Sequence, residues 1–255
     1  LGSFSSYEET LKLKGGWEKG GYLATVSRVD GQGRFKNDGY YRTAALMAVD
    51  HFPAPTAKLR LISLVNQNRR DQTSNDGATN TDLRLASPLT DREHNAYQIA
   101  QDQMAGLGLE LRPAPWLEYL PKVSFYQRDF TFHDPADALD AERPFFSAFR
   151  SDNTQTRYLT DHPVNLRLAG SDIRWDALTS AVTTLGFQWE EERFFQKVRG
   201  STNTTENHQR LARSLYFQEQ LIFEKNLTLT AGAPVHDYHH APHDETTKHS
   251  ASNLF

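Results

Sequence analysis

The chain has 255 residues and a formal net charge of −4, and its basic residues are scattered rather than clustered. This argues against nucleic acid as a partner, and the lack of cysteine excludes disulfides, thiol catalysis and thiolate-bound zinc. Hydrophobic residues make up 38% and aromatic residues 11%, which suits a sheet with one polar face. No run of about eighteen apolar residues occurs, which excludes a transmembrane helix but not a membrane-crossing strand, because such a strand is apolar only at every second position.

Apolar residues recur at every second position along most of the chain, and this period predicts β-strands. Between the strands, clusters of Gly, Pro, Asn and Asp predict turns. The pattern predicts five hairpins, hence about ten strands, which pair 7–17 with 22–26, 40–51 with 57–66, 104–112 with 117–128, 164–175 with 177–190, and 211–223 with 227–235. The more polar segments 67–102, 130–163 and 197–207 are predicted to be long loops.

The last hairpin gives the clearest alternation. Each arm runs about a dozen residues, close to the nine to eleven with which a tilted strand crosses a bilayer. Pro234 interrupts the second arm, and because proline lacks a ladder donor we expect a bulge there or a strand that ends near Ala233.

Short and long connections alternate along the chain, which predicts one rim with tight turns and one with large loops. Aromatic residues occur beside every short turn: Trp17, Phe52, Trp116, Trp175 and Phe223. Folding therefore stacks them at one level, as in the aromatic ring of a barrel at a membrane interface. The alternative is that they close the open end of a soluble β-sandwich.

Three segments resemble the barrel of TonB-dependent outer-membrane receptors: GSFSSY at 2–7, VDGQGR at 29–34, and YFQE at 216–219 followed by LTLTAG at 227–232. The resemblance implies that 1–255 is an internal part of an antiparallel transmembrane β-barrel, with the plug domain absent. It implies location in a Gram-negative outer membrane, contact with lipid, and energy-coupled uptake of a scarce ligand, expected to be a ferric siderophore. Coupling to the TonB complex is expected only through the missing plug.

The predicted long loops place guanidinium groups beside aromatic rings, which together can hold an anionic, aromatic iron chelate. We predict ligand binding by Arg69, Arg70, Arg143, Phe145, Phe146, Phe149, Arg150, Arg157 and Tyr158. The alternative for each is ordinary loop solubility. A tract with His236, His239, His240, His243 and His249 can bind metal or haem, but a solvated loop is favoured, and no metal site or cofactor is predicted.

No nucleophile elbow, zinc-protease motif or phosphate-binding loop occurs, so no enzymatic activity is predicted. Two alternatives to the receptor remain, a soluble extracellular β-sandwich that binds carbohydrate or protein, and a passive porin-type barrel. The sandwich buries Leu107, Leu109, Leu111, Leu227 and Leu229 between two sheets, whereas the barrel leaves them uncovered.

Overall fold

The computed structural model describes residues 6–32, 39–71, 96–134, 149–169, 178–200, 203–223 and 227–242. Its strands form one antiparallel sheet in which neighbours in the chain are neighbours in space. The strands are β1 (Ser6–Trp17), β2 (Gly20–Gly31), β3 (Tyr40–Ala54), β4 (Ala57–Asp71), β5 (Tyr97–Ala114), β6 (Leu117–Tyr119), β7 (Lys122–Asp134), β8 (Phe149–Ala169), β9 (Leu178–Arg199), β10 (Thr204–Phe223) and β11 (Thr228–Pro242). The all-β antiparallel prediction is confirmed.

β6 and β7 are two parts of one strand position, since both pair with β5 on one side and with β8 on the other. The interruption falls at Leu120 and Pro121, where proline cannot donate to the ladder. Neighbouring strands still hold the segment, because Leu109 N–H donates to the Pro121 carbonyl at 2.9 Å and Leu120 N–H to the Pro163 carbonyl at 3.0 Å. The described residues therefore form ten strand positions, as predicted.

Parts of the three predicted long loops are strand. β8 begins at Phe149, inside the segment predicted as a loop to residue 163, and β4 and β5 reach Asp71 and Tyr97 inside the loop predicted over 67–102. β9 and β10 are separated only by 200–203, so the predicted loop over 197–207 is wrong, as is the strict alternation of short and long connections. These strand ends carry polar side chains on both faces, so they show no apolar period.

The sheet has two chemically different faces. The apolar face carries Leu11, Leu107 and Leu215, which are 60%, 42% and 62% exposed, and the polar face carries the side chains in between. No second sheet covers the apolar face within the described residues. Leu107, Leu227 and Leu229 are exposed, and Leu109 and Leu111 are half-buried, so none of the five is buried between two sheets of the described residues, which contradicts the soluble β-sandwich.

Aromatic side chains lie at the rim of short turns. Trp17 ends β1 and stacks on His51, with ring centroids 6.3 Å apart, and Phe52 lies near the end of β3 under the Lys58 ammonium. Trp116 lies in the turn between β5 and β6, and Phe223 ends β10. Trp175 lies outside the described residues. The common level is thus found for four of the five, and their contact with a membrane interface stays a prediction.

Neither the bulge predicted at Pro234 nor the strand end predicted near Ala233 is found, because β11 continues to Pro242. β11 pairs with β10 without a register shift, and Pro234 stands opposite Tyr216. Among the described strands β11 has only this one neighbour, so it is an edge of the sheet. An edge strand tolerates proline because the missing donor can face away from the ladder.

Candidate functional site

The apolar face carries a continuous apolar band next to the short-turn rim. In β1 the band covers 11–17, in β5 it covers 105–114, and in β9 it covers 178–189. Glu219 of β10 is an acidic exception within it. Beyond it, the same face turns polar at residues such as Glu9, Gln103 and Glu191. The band spans seven residues in β1, ten in β5 and twelve in β9, and these lengths bracket the nine to eleven residues that a tilted strand needs to cross a bilayer.

The polar boundary of this band slants across the sheet. It is level from β1 to β4, since Leu11 pairs with Val26 and Ala45 pairs with Val65. Further along the sheet it moves toward the short turns: the apolar Tyr158 stands opposite the polar Glu191. The strands of a membrane barrel are tilted, so residues that pair between neighbouring strands lie at different depths in the bilayer. A flat lipid layer therefore meets such a sheet along a line that slants against the strand register.

The polar face is held by side-chain bridges between strands. Glu118, only 5% exposed, accepts hydrogen bonds from Arg112 at 2.9 Å, Asn165 at 2.8 Å and Arg167 at 2.9 Å. The bridge joins β5, β6 and β8 next to the interruption at Pro121. A buried carboxylate is tolerated because these charged and amide donors replace its water shell.

A second bridge joins β8, β9 and β10 toward the opposite rim. Glu190 accepts from Arg157 and from Arg210, both at 2.6 Å, and Glu192 accepts from Arg210 at 2.7 Å and from Gln155. Two cations and two anions leave this cluster neutral, so Arg157 is already compensated by protein carboxylates.

A groove of about 660 Å³ opens where β3, β4 and β5 approach that rim. On the polar face it is lined by Tyr40, Arg42, Asn66, Asn68, Arg70 and Gln98. Arg42 donates to Asn66 at 3.1 Å, and Asn66 donates to Asp102 at 3.0 Å. Arg70 stands opposite Tyr40, is exposed, and has no ion pair among the described residues. The groove thus combines an uncompensated guanidinium, a phenol and amides.

The strand period divides the predicted ligand residues between the faces. Arg70, Phe149 and Arg157 lie on the polar face, whereas Arg69, Arg150 and Tyr158 lie on the face that carries the apolar band. All six are in strands, so their predicted place in loops is wrong. Arg143, Phe145 and Phe146 lie outside the described residues.

The three residues on the apolar side have local partners. Arg69 bonds Asp71 at 2.9 Å and lies 4.3 Å from the centre of the Tyr97 ring. Arg150 bonds Asp152 at 2.9 Å, and Tyr158 packs against Phe125 with ring centroids 5.2 Å apart. The two ion pairs follow from alternation, because residues i and i+2 share a face, whereas the two ring contacts join neighbouring strands.

Sequence reasoning missed aromatic side chains on the polar face. Phe132 packs against Phe149 with ring centroids 5.9 Å apart, and Phe194 stacks on His208 at 6.2 Å. Phe132 and Phe194 are at even-numbered positions of β7 and β9, and in both strands the even-numbered side chains lie on the polar face. The signal was present in the alternation, but both lay in or beside segments that were predicted as loops.

The described residues contain no helix that is long and apolar enough to cross a membrane. Nor does the described part of the chain group three or more His, Asp or Glu side chains as a metal site. His236, His239 and His240 lie in β11, where alternation separates His239 from the other two, and Ser214 bonds His236 at 2.7 Å. His243 and His249 are outside the described residues.

The sequence matches no family model and no curated protein. Solved structures do match. The chain superposes on the unliganded ferric citrate transporter FecA with a TM-score of 0.74 at 10% identity, over 98% of this chain and 38% of that one. On BauA, the ferric preacinetobactin receptor of Acinetobacter baumannii, it superposes with a TM-score of 0.73 at 8% identity, over 98% of this chain and 43% of that one. On the ferripyoverdine receptor of the outer membrane of Pseudomonas aeruginosa, the TM-score is 0.75 at 10% identity, over 99% of this chain and 37% of that one.

The chain spans less than half the length of each of these proteins. At such low identity the likeness is one of fold, and it confirms at that level the resemblance found in the sequence. The chain has the fold of a part of the β-barrel of TonB-dependent siderophore receptors.

Proposed function

We propose that the chain is part of an outer-membrane receptor of a Gram-negative bacterium that takes up a scarce ligand, with a ferric siderophore as the expected cargo. The observation that carries the proposal is the apolar band, which is exposed, has the length of a bilayer crossing, and slants against the strand register. A soluble sheet gains nothing by exposing such a band, since large apolar patches on a soluble surface promote association. The proposal concerns binding and transport, not catalysis.

The polar face then lines the interior, and the groove at Tyr40 and Arg70 is the proposed place of ligand contact. An exposed guanidinium that meets no carboxylate among the described residues is available to an anionic chelate, and the phenol ring adds an aromatic surface. Phe149 and Arg157 extend this surface along β8, although Arg157 must share its charge with Glu190. Arg150 and Tyr158 are left out of this site because they lie on the other face. Arg69 also lines the groove, but its side chain is on the other face and bonds Asp71.

Energy coupling belongs to the same proposal, with a plug domain and the TonB complex as the expected partners. The fold alone does not separate this receptor from a passive porin-type barrel. Two features favour the receptor. The three solved neighbours are named as transporters or receptors of ferric ligands, and the groove offers a guanidinium that no carboxylate of the described residues compensates.

Growth rescue tests the proposal. A strain that lacks the intact receptor is supplied with the protein and with single iron chelates under iron limitation, and rescue by at least one chelate is expected to depend on TonB. Rescue by none would reject iron uptake, and rescue without TonB would support the porin.

For the chelate that rescues, Arg70→Ala is expected to weaken binding about tenfold or more, the value of a lost charge-assisted hydrogen bond. Arg28→Ala is the matched control, because Arg28 is exposed on the apolar face and bonds Asp30 at 2.5 Å. Equal binding by Arg70→Ala and the wild type would remove Arg70 from the site.

A further inference from the structure

Two ionisable side chains lie in the middle of the apolar band. His162 is in β8, where the band covers 158–168, and Glu219 is in β10, where it covers 215–223. Each is near the centre of its segment, and both are half-buried. Among the described residues of the band, Glu219 is the only acidic side chain. An ionisable group at such a depth is costly and points to a function.

Each of the two has one polar atom that is hydrogen-bonded and one that has no partner within the described part of the chain. The Tyr119 hydroxyl lies 2.8 Å from His162 Nδ1. When the phenol donates to Nδ1, the ring proton is on Nε2, which can then donate outward. Thr183 donates to Glu219 Oε2 at 2.6 Å, and Oε1 has no partner among the described residues. The same surface therefore presents a donor and an acceptor.

These two atoms cannot bond each other within one chain. β9 lies between β8 and β10, and His162 stands opposite Phe187 whereas Glu219 stands opposite Thr183, so the two side chains are roughly 16 Å apart when the offset along the strands is included. A groove of about 480 Å³ begins at His162 and crosses β9 to β11, with Leu185, Phe187 and Ala233 among its lining residues. The groove can receive apolar side chains of a facing surface.

We propose that this surface binds a second copy of the same chain within the membrane. The inference rests on the proposed function, because it requires the apolar face to lie in lipid. Two copies in one membrane are related by a two-fold axis along the bilayer normal, so each residue meets residues of its own depth. With the axis over β9, Glu219 of one copy faces His162 of the other, and the reverse pair forms by symmetry.

The chemistry of the two pairs is complementary. Glu219 Oε1 accepts a hydrogen bond from His162 Nε2 of the second copy, and no water is needed to satisfy either group. Two sheets that pack face to face lie about 10 Å apart, which side chains from both sides span. A lipid headgroup fits less well, because its polar atoms lie at the surface of the bilayer and Glu219 lies in the middle of the band.

Cysteine crosslinking tests the interface, since the chain has no cysteine of its own. Leu185→Cys lies on the proposed axis, and Leu107→Cys on β5 is the matched control at similar exposure, 48% against 42%. Oxidation of native membranes is expected to give a disulfide-linked dimer with the first variant and not with the second. Equal crosslinking of both, or of neither, would refute the interface.

The hydrogen bonds are tested in the Leu185→Cys background. Glu219→Leu or His162→Leu is expected to reduce the dimer about tenfold, the effect of two hydrogen bonds of the strength found in membranes. Exchange of the pair, His162→Glu with Glu219→His, is expected to restore it. A dimer that persists in both single variants would refute the pairing.

Heat-modifiable migration of each variant shows whether it is folded in the membrane. A wild-type protein that is absent from the outer membrane would contradict the proposed function. A protein that inserts and remains monomeric would contradict only the dimer.

Discussion

Tyr216 crosses one whole strand to reach its hydrogen-bond partner. It belongs to β10, and its hydroxyl donates to Asp161 of β8 at 2.8 Å, so the ring must pass over β9. It does so at Gly186, which stands directly opposite Tyr216. A Cβ at position 186 would lie within 3.0 Å of the ring, closer than real Cβ atoms approach. The absence of a side chain at Gly186 is thus a condition of the Tyr216–Asp161 bond.

We therefore expect Gly186→Ala to destabilise the protein by about 2–4 kcal/mol. Overpacking costs about 1–3 kcal/mol, and displacement of the ring also removes a hydrogen bond to a carboxylate, worth about 1.5 kcal/mol. Tyr216→Ala removes the obstacle. In that background Gly186→Ala is expected to be neutral or to stabilise by about 0.5 kcal/mol, because alanine restricts the unfolded chain more than glycine does.

Urea unfolding in detergent micelles, followed by tryptophan fluorescence and extrapolated linearly, gives the four free energies of this cycle. Gly108→Ala is the matched control, since Gly108 also lies on the polar face and a Cβ there would meet only Lys122 Cγ at 3.8 Å. An equal effect of Gly186→Ala in both backgrounds would refute the reasoning, because the cost would then not come from the ring.

Two further predictions concern the faces of the sheet. Leu107→Arg on the apolar face is expected to lower the free energy of unfolding in lipid by about 2–4 kcal/mol, whereas Met104→Arg on the polar face is expected to change it by less than about 1 kcal/mol; similar effects of the two would contradict the assignment of faces. Glu118→Gln keeps the shape of the side chain but weakens two bonds to arginine, and a loss of about 1–3 kcal/mol is expected in the same urea assay. An unchanged urea midpoint would show that the hydrogen bonds of Glu118 add nothing to stability.

The sequence was informative wherever one face of a strand is apolar. Alternation in 105–111 and 211–223 predicted strands that the structure confirms, and it also predicted the number of strand positions. It failed where both faces are polar. Thr154, Thr156 and Gln155 in β8 carry no apolar contrast, so nothing in their order distinguishes a strand from a loop.

The candidate site was predictable only in part, for the same reason. Residue types suggested guanidinium groups beside aromatic rings, but a loop has no fixed period and could not tell which of two neighbours points inward. Once β4 is known to continue to Asp71, alternation alone places Arg70 on the polar face and Arg69 on the other. The same step separates Arg157 from Tyr158 in β8.

The length of the strands changes what kind of ligand surface this protein offers. β8, β9 and β10 have 21, 22 and 20 residues, about twice what a bilayer crossing needs, so their far halves stand beyond the apolar band. These halves are joined by ladder hydrogen bonds and by the Glu190 and Glu192 bridges. A loop must lose conformational entropy when it closes on a ligand, whereas hydrogen-bonded strands have already lost that entropy on folding. Ligand contact on this side of the barrel is therefore expected to involve a preformed surface, with affinity set by side chains such as Phe149 and Arg157 rather than by loop closure.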